Sequence, residues 1–493
     1  MLFPTTVFAF FFAAVLLVWW GIPGRFPLVR KLALFAANVF FYAYWSWRFA
    51  LLLLATAAVN HALALLAARG RDAKRPERTR RAVVLAVAAN LLLLGVFKYA
   101  GFLFEAVVSP VGSWLCRSPG ALEAWQDFQL DRAFPALSSI VLPIGISFTT
   151  FSAISYVVDA ARGTFRPARS LLDFANYLAF FPKLCAGPIV RPADLLPALE
   201  EPGVLDVPRP AFARAMLLLA AGLLKKTVFA NVLAQRLVDP FYADPALFGL
   251  ADAALAALGY SVQLYCDFSA YTDMAIALAL LLGFRFPHNF DAPYLARSLQ
   301  EFWRRWHITL STWLRDYLYI PLGGSRCGAA RSYANLLATW LLGGLWHGAG
   351  WMFLLWGGMH GLGLAAERAI GRALGATKEA PFRPGIVPTA IFASLAWIPF
   401  RLGTGHAPAE TAGEVLRAFG RASAPATLAT APVLAALVLG FHSQVCDADR
   451  MRPLERLLAR LPAPWLALAG ALLLTAALGL GPRGIAPFIY FQF

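Results

Sequence analysis

The sequence predicts an all-α polytopic membrane protein, with about ten to twelve transmembrane or re-entrant helices and amphipathic helices at the interface. Three observations predict it. Hydrophobic residues make up 59% of the 493 residues and charged residues only 14%, where a soluble domain carries roughly a quarter. That deficit leaves too little polar surface to coat a globule in water, and the mean hydropathy of +0.62 agrees. Apolar runs of near-spanning length recur along the chain, a bilayer span needing about 20 such residues.

The runs lie near 4–22, 32–46, 50–68, 82–104, 136–158, 211–237, 249–283, 333–346, 350–370, 388–402, 428–441 and 463–481. Several are short, and re-entrant segments of that kind need protein or a water-filled cavity over their backbone. The run 249–283 is long enough to break into pieces. The opening stretch has no basic leader and no small-residue cleavage site, so it reads as a retained first span. Residues 403–427, rich in Ala, Gly, Pro and Thr, read as a loop. No internal repeat of fixed period occurs, and residues 1–493 are taken as a single integral domain.

Loop charge sets the orientation. Net charge is +16, from 43 Lys+Arg against 27 Asp+Glu. In a soluble protein that balance suggests nucleic acid. Here the basic residues sit mainly in short loops between apolar runs, as in cytoplasmic loops, so no nucleic-acid partner is expected. Arg25, Arg30 and Lys31 follow the first run, and residues 69–81 carry seven basic against two acidic groups; both segments are placed inside. Glu105, Glu123, Asp127 and Asp131 against Arg117 and Arg132 place 105–135 outside, and Arg162, Arg166 and Arg169 return inside. The N-terminus is then outside. The five cysteines show no CxxC spacing, so neither a disulfide frame nor a zinc site is indicated, and no metal is expected.

Candidate chemistry concentrates between residues 260 and 361. Asp267 and Asp273 lie in the apolar run YSVQLYCDFSAYTDMAIALALLLGF. Ionisable groups at membrane depth face a cavity or a partner. Asp267 shares a helix face with Tyr271, and Ser269 with Asp273. These residues read either as polar groups of a cavity or as a polar staple between helices. The next block, ARSLQEFWRRWHITLSTWLRDYLYIPLGG, written as a helix, puts Trp303, Trp306, His307, Leu310, Trp313, Leu314 and Tyr317 on one stripe. It reads as an interfacial amphipathic helix whose His307 faces the protein. Arg304, Arg305 and Arg315 suit paired hydrogen bonds to phosphate, of a donor molecule or of a lipid headgroup, and Trp303 joins them as a donor-binding candidate.

In LLGGLWHGAGWMFLLWGGMHGLG, His347 lies among glycines that admit a close backbone or ligand. Imidazole titrates near neutrality and, in a dry channel, can take a proton from a hydroxyl attacking a thioester. The plainer reading is a helix-packing histidine; the pairing with His307 favours chemistry. His360 is a third candidate, while His61, His288, His406 and His442 have no comparable setting. The block AFFPKLCAGPIVRP reads as a broken or re-entrant helix lining a cavity. Lys183 and Arg191 can meet an anion there, and Cys185 is a covalent acyl carrier or, more simply, a buried thiol. The sequence holds no GxSxG, P-loop, HExxH or dinucleotide glycine motif.

Taken together, VLPIGISFTTFSAISYVVDAARG (141–163), FFPKLCAGPIVR (180–191), QLYCDFSAYTDMAIALALLLGFRFPHNF (263–290), EFWRRWHITLSTWLRDYLYIPLGG (301–324) and LLGGLWHGAGWMFLLWGGMHG (341–361) resemble the membrane-bound O-acyltransferase family, within it the bacterial alginate O-acetyltransferase branch. FKYAGF (97–102) is similar too. The resemblance covers most of residues 1–370, with a family core of about 95–370, and is looser over 385–493. It implies a ring of helices around a central funnel, thinned at the catalytic centre. It implies His347 as the catalytic histidine and His307 at the second signature polar position. It also implies acetyl-CoA as a cytoplasmic donor substrate, with no bound cofactor. Acetyl then leaves on the periplasmic side, with a periplasmic SGNH-hydrolase-like acetyltransferase as partner and a cell-surface polysaccharide as destination. Peptidoglycan and cellulose O-acetylation, and teichoic acid D-alanylation, use the same motifs. The expected setting is the bacterial inner membrane, multi-pass and in contact with lipid. The rivals are a transporter of polysaccharide or lipid-linked sugar, which the missing repeat disfavours, and a scaffold for the periplasmic enzyme.

Overall fold

A computed structural model of the chain describes residues 3–108, 111, 141–377, 380–405, 408–422, 427–445, 451–479 and 488–489. Most of the outward loop expected over 105–135 lies outside the described residues, with Cys116, Cys446 and His406. Every regular element among the described residues is helical.

The N-terminal helices are α1 (Thr6–Gly21), α2 (Pro27–Ala43), α3 (Trp47–Asp72) and α4 (Pro76–Leu94), the last continuing through a π turn, Gly95–Tyr99, to Leu103. Thr5 and Ser46 open α1 and α3 by accepting from the Phe8 and Phe49 amides, the usual service of a hydroxyl at a helix start. Proline opens α2 and α4, where its missing N–H removes no helical bond. Then follow α5 (Ile146–Arg162), α6 (Leu171–Ala179), α7 (Arg209–Leu224) and α8 (Leu250–Leu281). Beyond them lie α9 (Leu299–Arg305), α10 (Ile308–Leu314), α11 (Ala329–His347), α12 (Trp351–Ala373) and α13 (Ile386–Leu402). The chain closes with α14 (Pro408–Gly420), α15 (Ala431–Ser443), α16 (Arg452–Ala459) and α17 (Ala463–Gly479).

Among the described residues, four continuous helices are long and apolar enough to cross a bilayer: Trp47–Asp72, Pro76–Leu103, Arg209–Ala243 and Leu250–Leu281. Shorter apolar helices, including α1, α13 and α15, join them. Burial separates their roles. In α8, 89% of the most apolar window is buried, against 22% in Pro76–Leu103. So α8 is the central post, packed against α7, α13, α14 and α15, and α4 turns Leu85 and Leu92 outward, where lipid covers apolar surface without penalty. Two expectations need correcting. The run 249–283 does not break: it forms the single helix α8, in which Asp267 and Asp273 pair with lysines, as described below, and Asp252 accepts from the Thr427 and Leu428 amides. Residues 403–427 are not all loop: α14 forms there and buries Val415 and Ala418, its small apolar side chains letting it lie against α8.

Three packing details hold the core near residue 347. Gly145, at φ +75, opens α5 so close to the broken segment around Phe181–Leu184 that a Cβ would strike the Leu184 carbonyl. Helices α11 and α12 form a tight antiparallel hairpin in which Gly344 faces the Phe353 carbonyl and Gly357 faces the Trp340 carbonyl. Small residues of this kind let membrane helices approach backbone to backbone. Gly357→Ala is expected to destabilise the hairpin by about 1–3 kcal/mol, as overpacking does, read as a lower unfolding temperature in detergent. An unchanged midpoint contradicts the packing described.

Candidate active site

His347 is the last residue of α11, and its side chain is buried. The end of any α-helix leaves carbonyls without partners, and in a bilayer no water satisfies them. Here the π turn after α4 supplies the donors. Lys98 Nζ donates to the Trp346 and His347 carbonyls at 2.6 and 2.8 Å, and Tyr99 Oη donates to the Leu345 carbonyl at 2.6 Å. A cation at a helix C-terminus also meets the negative end of the helix dipole. The His347 ring lies against Trp346, Trp356 and Phe400, with centroids 4.9, 5.0 and 5.1 Å away.

His307 does not lie on a continuous amphipathic helix. The helix ends at Arg305, and His307 takes a left-handed conformation (φ +42) before α10 begins. The stripe faces the protein, as its apolar character implies: Trp303, Trp306, His307 and Trp313 are all buried. The break is held by Asn289. Its carbonyl accepts from the Ile308 amide (3.0 Å), and its side-chain Oδ1 accepts from the Thr309 amide (3.1 Å) and the Thr309 hydroxyl (2.9 Å). His307 Nδ1 lies 3.2 Å from the same Oδ1. The start of α10 thus receives its cap from a residue distant in sequence.

Trp346 packs against both histidines, its ring 6.3 Å from that of His307 and 4.9 Å from that of His347. Trp356 links His347 onward to His360, with 5.0 Å between centroids on each side. Trp303 is part of this wall: its Nε1 donates to His360 Nδ1 at 3.2 Å. It is a buried strut, packed against Trp340 and His360. His61 also has a setting the sequence hid, buried 2.9 Å from Tyr156 Oη.

The carboxylates form the polar staple. Asp267 pairs with Lys226 at 2.6 Å and Asp273 with Lys225 at 2.5 Å, and Lys225 also donates to Ser269, which fits the shared face of Ser269 and Asp273. Asp267 accepts the Ile489 amide as well. Tyr271 packs between Phe3 and Phe488. Both readings hold for Asp273, since it also borders a cavity of about 270 Å³ with Lys225, Thr272, His288, Asn289 and Gln444. The Lys226–Asp267 pair is buried on both sides. Removing one partner of such a pair costs about 3–5 kcal/mol. Lys226→Met is therefore expected to abolish stable insertion, and Lys226→Met with Asp267→Asn to restore most of it, as judged by folded yield.

The arginines are not gathered at the histidines. Arg304 is exposed, Arg305 pairs with Glu301 at 2.7 Å, and Arg315 with Asp316 at 2.7 Å. Arg191 also pairs with Asp316. Lys183 is placed differently. Its side chain is buried, its Nζ lies 3.7 Å from the Tyr177 ring centre, and no hydrogen-bond acceptor meets it among the described residues. It borders a small void with Ser152 and Phe148, and Phe148 stacks on His307 at 6.5 Å. Cys185 is a free, buried thiol.

The profile of the membrane-bound O-acyltransferase family matches residues 124–401. The chain belongs to this family. Among its relatives, a Pseudomonas putida protein named as a probable alginate O-acetylase is 36% identical, with all of both chains covered. A Helicobacter pylori peptidoglycan O-acetyltransferase is 34% identical over 81% of this chain and 77% of its own. A Streptococcus thermophilus teichoic acid D-alanyltransferase is 30% identical over 46% of this chain and 57% of its own.

The chain is thus an O-acyltransferase of the membrane. Three groups of residues around its histidines escaped the sequence reading. Lys98 and Tyr99 lay in the quoted FKYAGF block without a role. Asn289 and Thr309 carry no signal until residues 289 and 307 are seen side by side. Lys225 and Lys226 lie in the run 211–237, and only the folded chain shows which of the three aspartates in the run 249–283 they meet, Asp273 and Asp267.

Proposed function

We propose that this O-acyltransferase takes acetyl from acetyl-CoA on the cytoplasmic side of the bacterial inner membrane and sends it outward to a cell-surface polysaccharide of the alginate type. The observation that carries the reading is the burial of His347 and His307 against the same residue, Trp346, in a chain aligned from end to end with a protein named for alginate O-acetylation. His347 is the general base. The hydroxyl oxygen bonds to the acetyl carbonyl carbon while its proton passes to His347. The C–S bond then breaks, and the proton returns to the thiolate, giving an acetyl ester and free thiol. His307 orients the thioester or the catalytic imidazole. The dry aromatic wall excludes the water that competes with the hydroxyl.

The cavity beside Asn289 suits an approach for the donor arm, and the buried Lys183 amine suits a hydrogen bond to an anionic or polarised oxygen. Arg304, Arg305 and Arg315 keep a role only at the surface, against donor phosphates or lipid headgroups. The helices surround a central funnel, and a periplasmic SGNH-hydrolase-like acetyltransferase completes delivery to the glycan. A second reading, peptidoglycan O-acetylation, is favoured by the Helicobacter pylori relative.

The test compares acetate released by mild base from exopolysaccharide and from purified peptidoglycan, with and without this gene. Loss from exopolysaccharide alone supports the first reading, and loss from peptidoglycan alone the second. No loss from either overturns both.

A further inference from the structure

The protonation pattern of His307 is written into its neighbours. A backbone N–H only donates, so the Asn289 side-chain atom 3.1 Å from the Thr309 amide is the oxygen. The Thr309 hydroxyl agrees: it accepts from the Ile189 amide at 3.0 Å, and its own hydrogen points to that oxygen at 2.9 Å. The Asn289 nitrogen is turned the other way, toward Thr272 Oγ1. With Oδ1 fixed as an acceptor, the His307 nitrogen facing it, Nδ1 at 3.2 Å, has to be a donor. A neutral imidazole has one N–H. Its Nε2 is then a bare lone pair.

That lone pair is buried. His307 is 1% exposed, and no donor meets Nε2 among the described residues. The ring is enclosed by Phe268 at 4.6 Å, edge to face, with Trp346 and Phe148 beyond. An unmet buried acceptor is costly, so a substrate group that donates to it binds more favourably than one that cannot.

We infer that Asn289, braced by Thr309, is a positioning residue that locks His307 as the Nδ1–H tautomer, so that Nε2 accepts a hydrogen bond from a substrate N–H or O–H. The inference rests on the acyl-transfer reading of the same site and gives His307 a task separate from the base. Two sources share the required chemistry. One is the amide N–H two carbons from the thioester sulfur of a pantetheine arm. The other is a hydroxyl adjacent to the one being acylated. In either case His307 holds the substrate while His347 takes the proton.

The tautomer is tested directly by ¹⁵N NMR of histidine-labelled full-length protein in lipid, with the signal assigned by its loss in His307→Phe. The inference expects a protonated Nδ1 and an unprotonated Nε2 in the wild type. Asn289→Asp, which keeps an acceptor oxygen, retains the proton on Nδ1, and Asn289→Leu loses that preference. A wild-type His307 protonated on Nε2 overturns the inference even if the acyl transfer is confirmed, so the two claims fail separately.

The source is read from activity. Wild type and His307→Phe are compared on S-acetyl-N-acetylcysteamine and on its analogue with CH₂ in place of the amide N–H. They are then compared on a vicinal diol and a mono-alcohol as acceptors. A preference of about tenfold that the wild type shows and His307→Phe loses, roughly one hydrogen bond, names the thioester amide or the neighbouring hydroxyl. Equal rates for both proteins on all four substrates overturn the inference.

Discussion

Cells carrying His347→Gln are expected to make polymer whose ester-linked acetate falls to the level of a gene deletion, although the protein still inserts. Glutamine nearly fills the space of imidazole and keeps polar atoms against Trp356 and Phe400, so the helix hairpin survives. It has no nitrogen able to take a proton. A positioned general base contributes about 10²–10⁴-fold to a rate, and a loss of that size leaves no measurable ester in a growing culture. The measurement is acetate per unit polymer, normalised to membrane-inserted protein on a blot. Normal acetate at normal expression removes His347 from the reaction.

The second large effect is structural and acts on the same residue. Lys98→Met is expected to strip the donors from the Trp346 and His347 carbonyls. Each orphaned buried carbonyl costs about 1–3 kcal/mol, so the pair is expected to lower stability by about 2–6 kcal/mol. The last turn of α11 carries the imidazole, and fraying there moves it away from Trp346 and Trp356. The kinetic expectation is a fall in kcat larger than any change in KM, since the substrate contacts are untouched. Lys98→Arg, which can donate to two carbonyls at once, recovers much of both. Tyr99→Phe removes only the bond to Leu345 and is expected to fall between wild type and Lys98→Met in thermal unfolding. If Lys98→Met unfolds at the wild-type temperature with wild-type kcat, the lysine does not hold this helix end.

These effects mark where the sequence stopped speaking. The bilayer setting was legible because charge deficit and apolar run length are summed over the whole chain. His347 was legible because glycines on both sides are a local sign of close packing, and Gly344 and Gly357 do meet backbone carbonyls across the hairpin. The local structure at His307 differs from the helix its sequence suggests. A period of 3.6 through 303–317 placed it on an apolar stripe, yet the chain breaks at that very residue. The break needs a left-handed histidine and a cap from Asn289, and neither has a sequence signature. Trp303 and the arginines have neighbours that residue type does not reveal. Residue type suggested phosphate and headgroup contacts, while three-dimensional packing buried the tryptophan against His360 and gave Arg305 and Arg315 carboxylate partners. Lys98 shows the limit most plainly. It meets its carbonyls across 248 and 249 residues of sequence, a distance no local pattern spans.

The central claim is that an acyl thioester is cleaved at the site His347 completes. Single-turnover mixing of purified protein in lipid with ¹⁴C-acetyl-CoA and a hydroxyl acceptor tests it most directly. Wild type is expected to release free thiol and form labelled ester in equal amounts, with His347→Gln slower by about 10²-fold or more at unchanged donor binding. Equal thiol release by the two proteins would contradict the account.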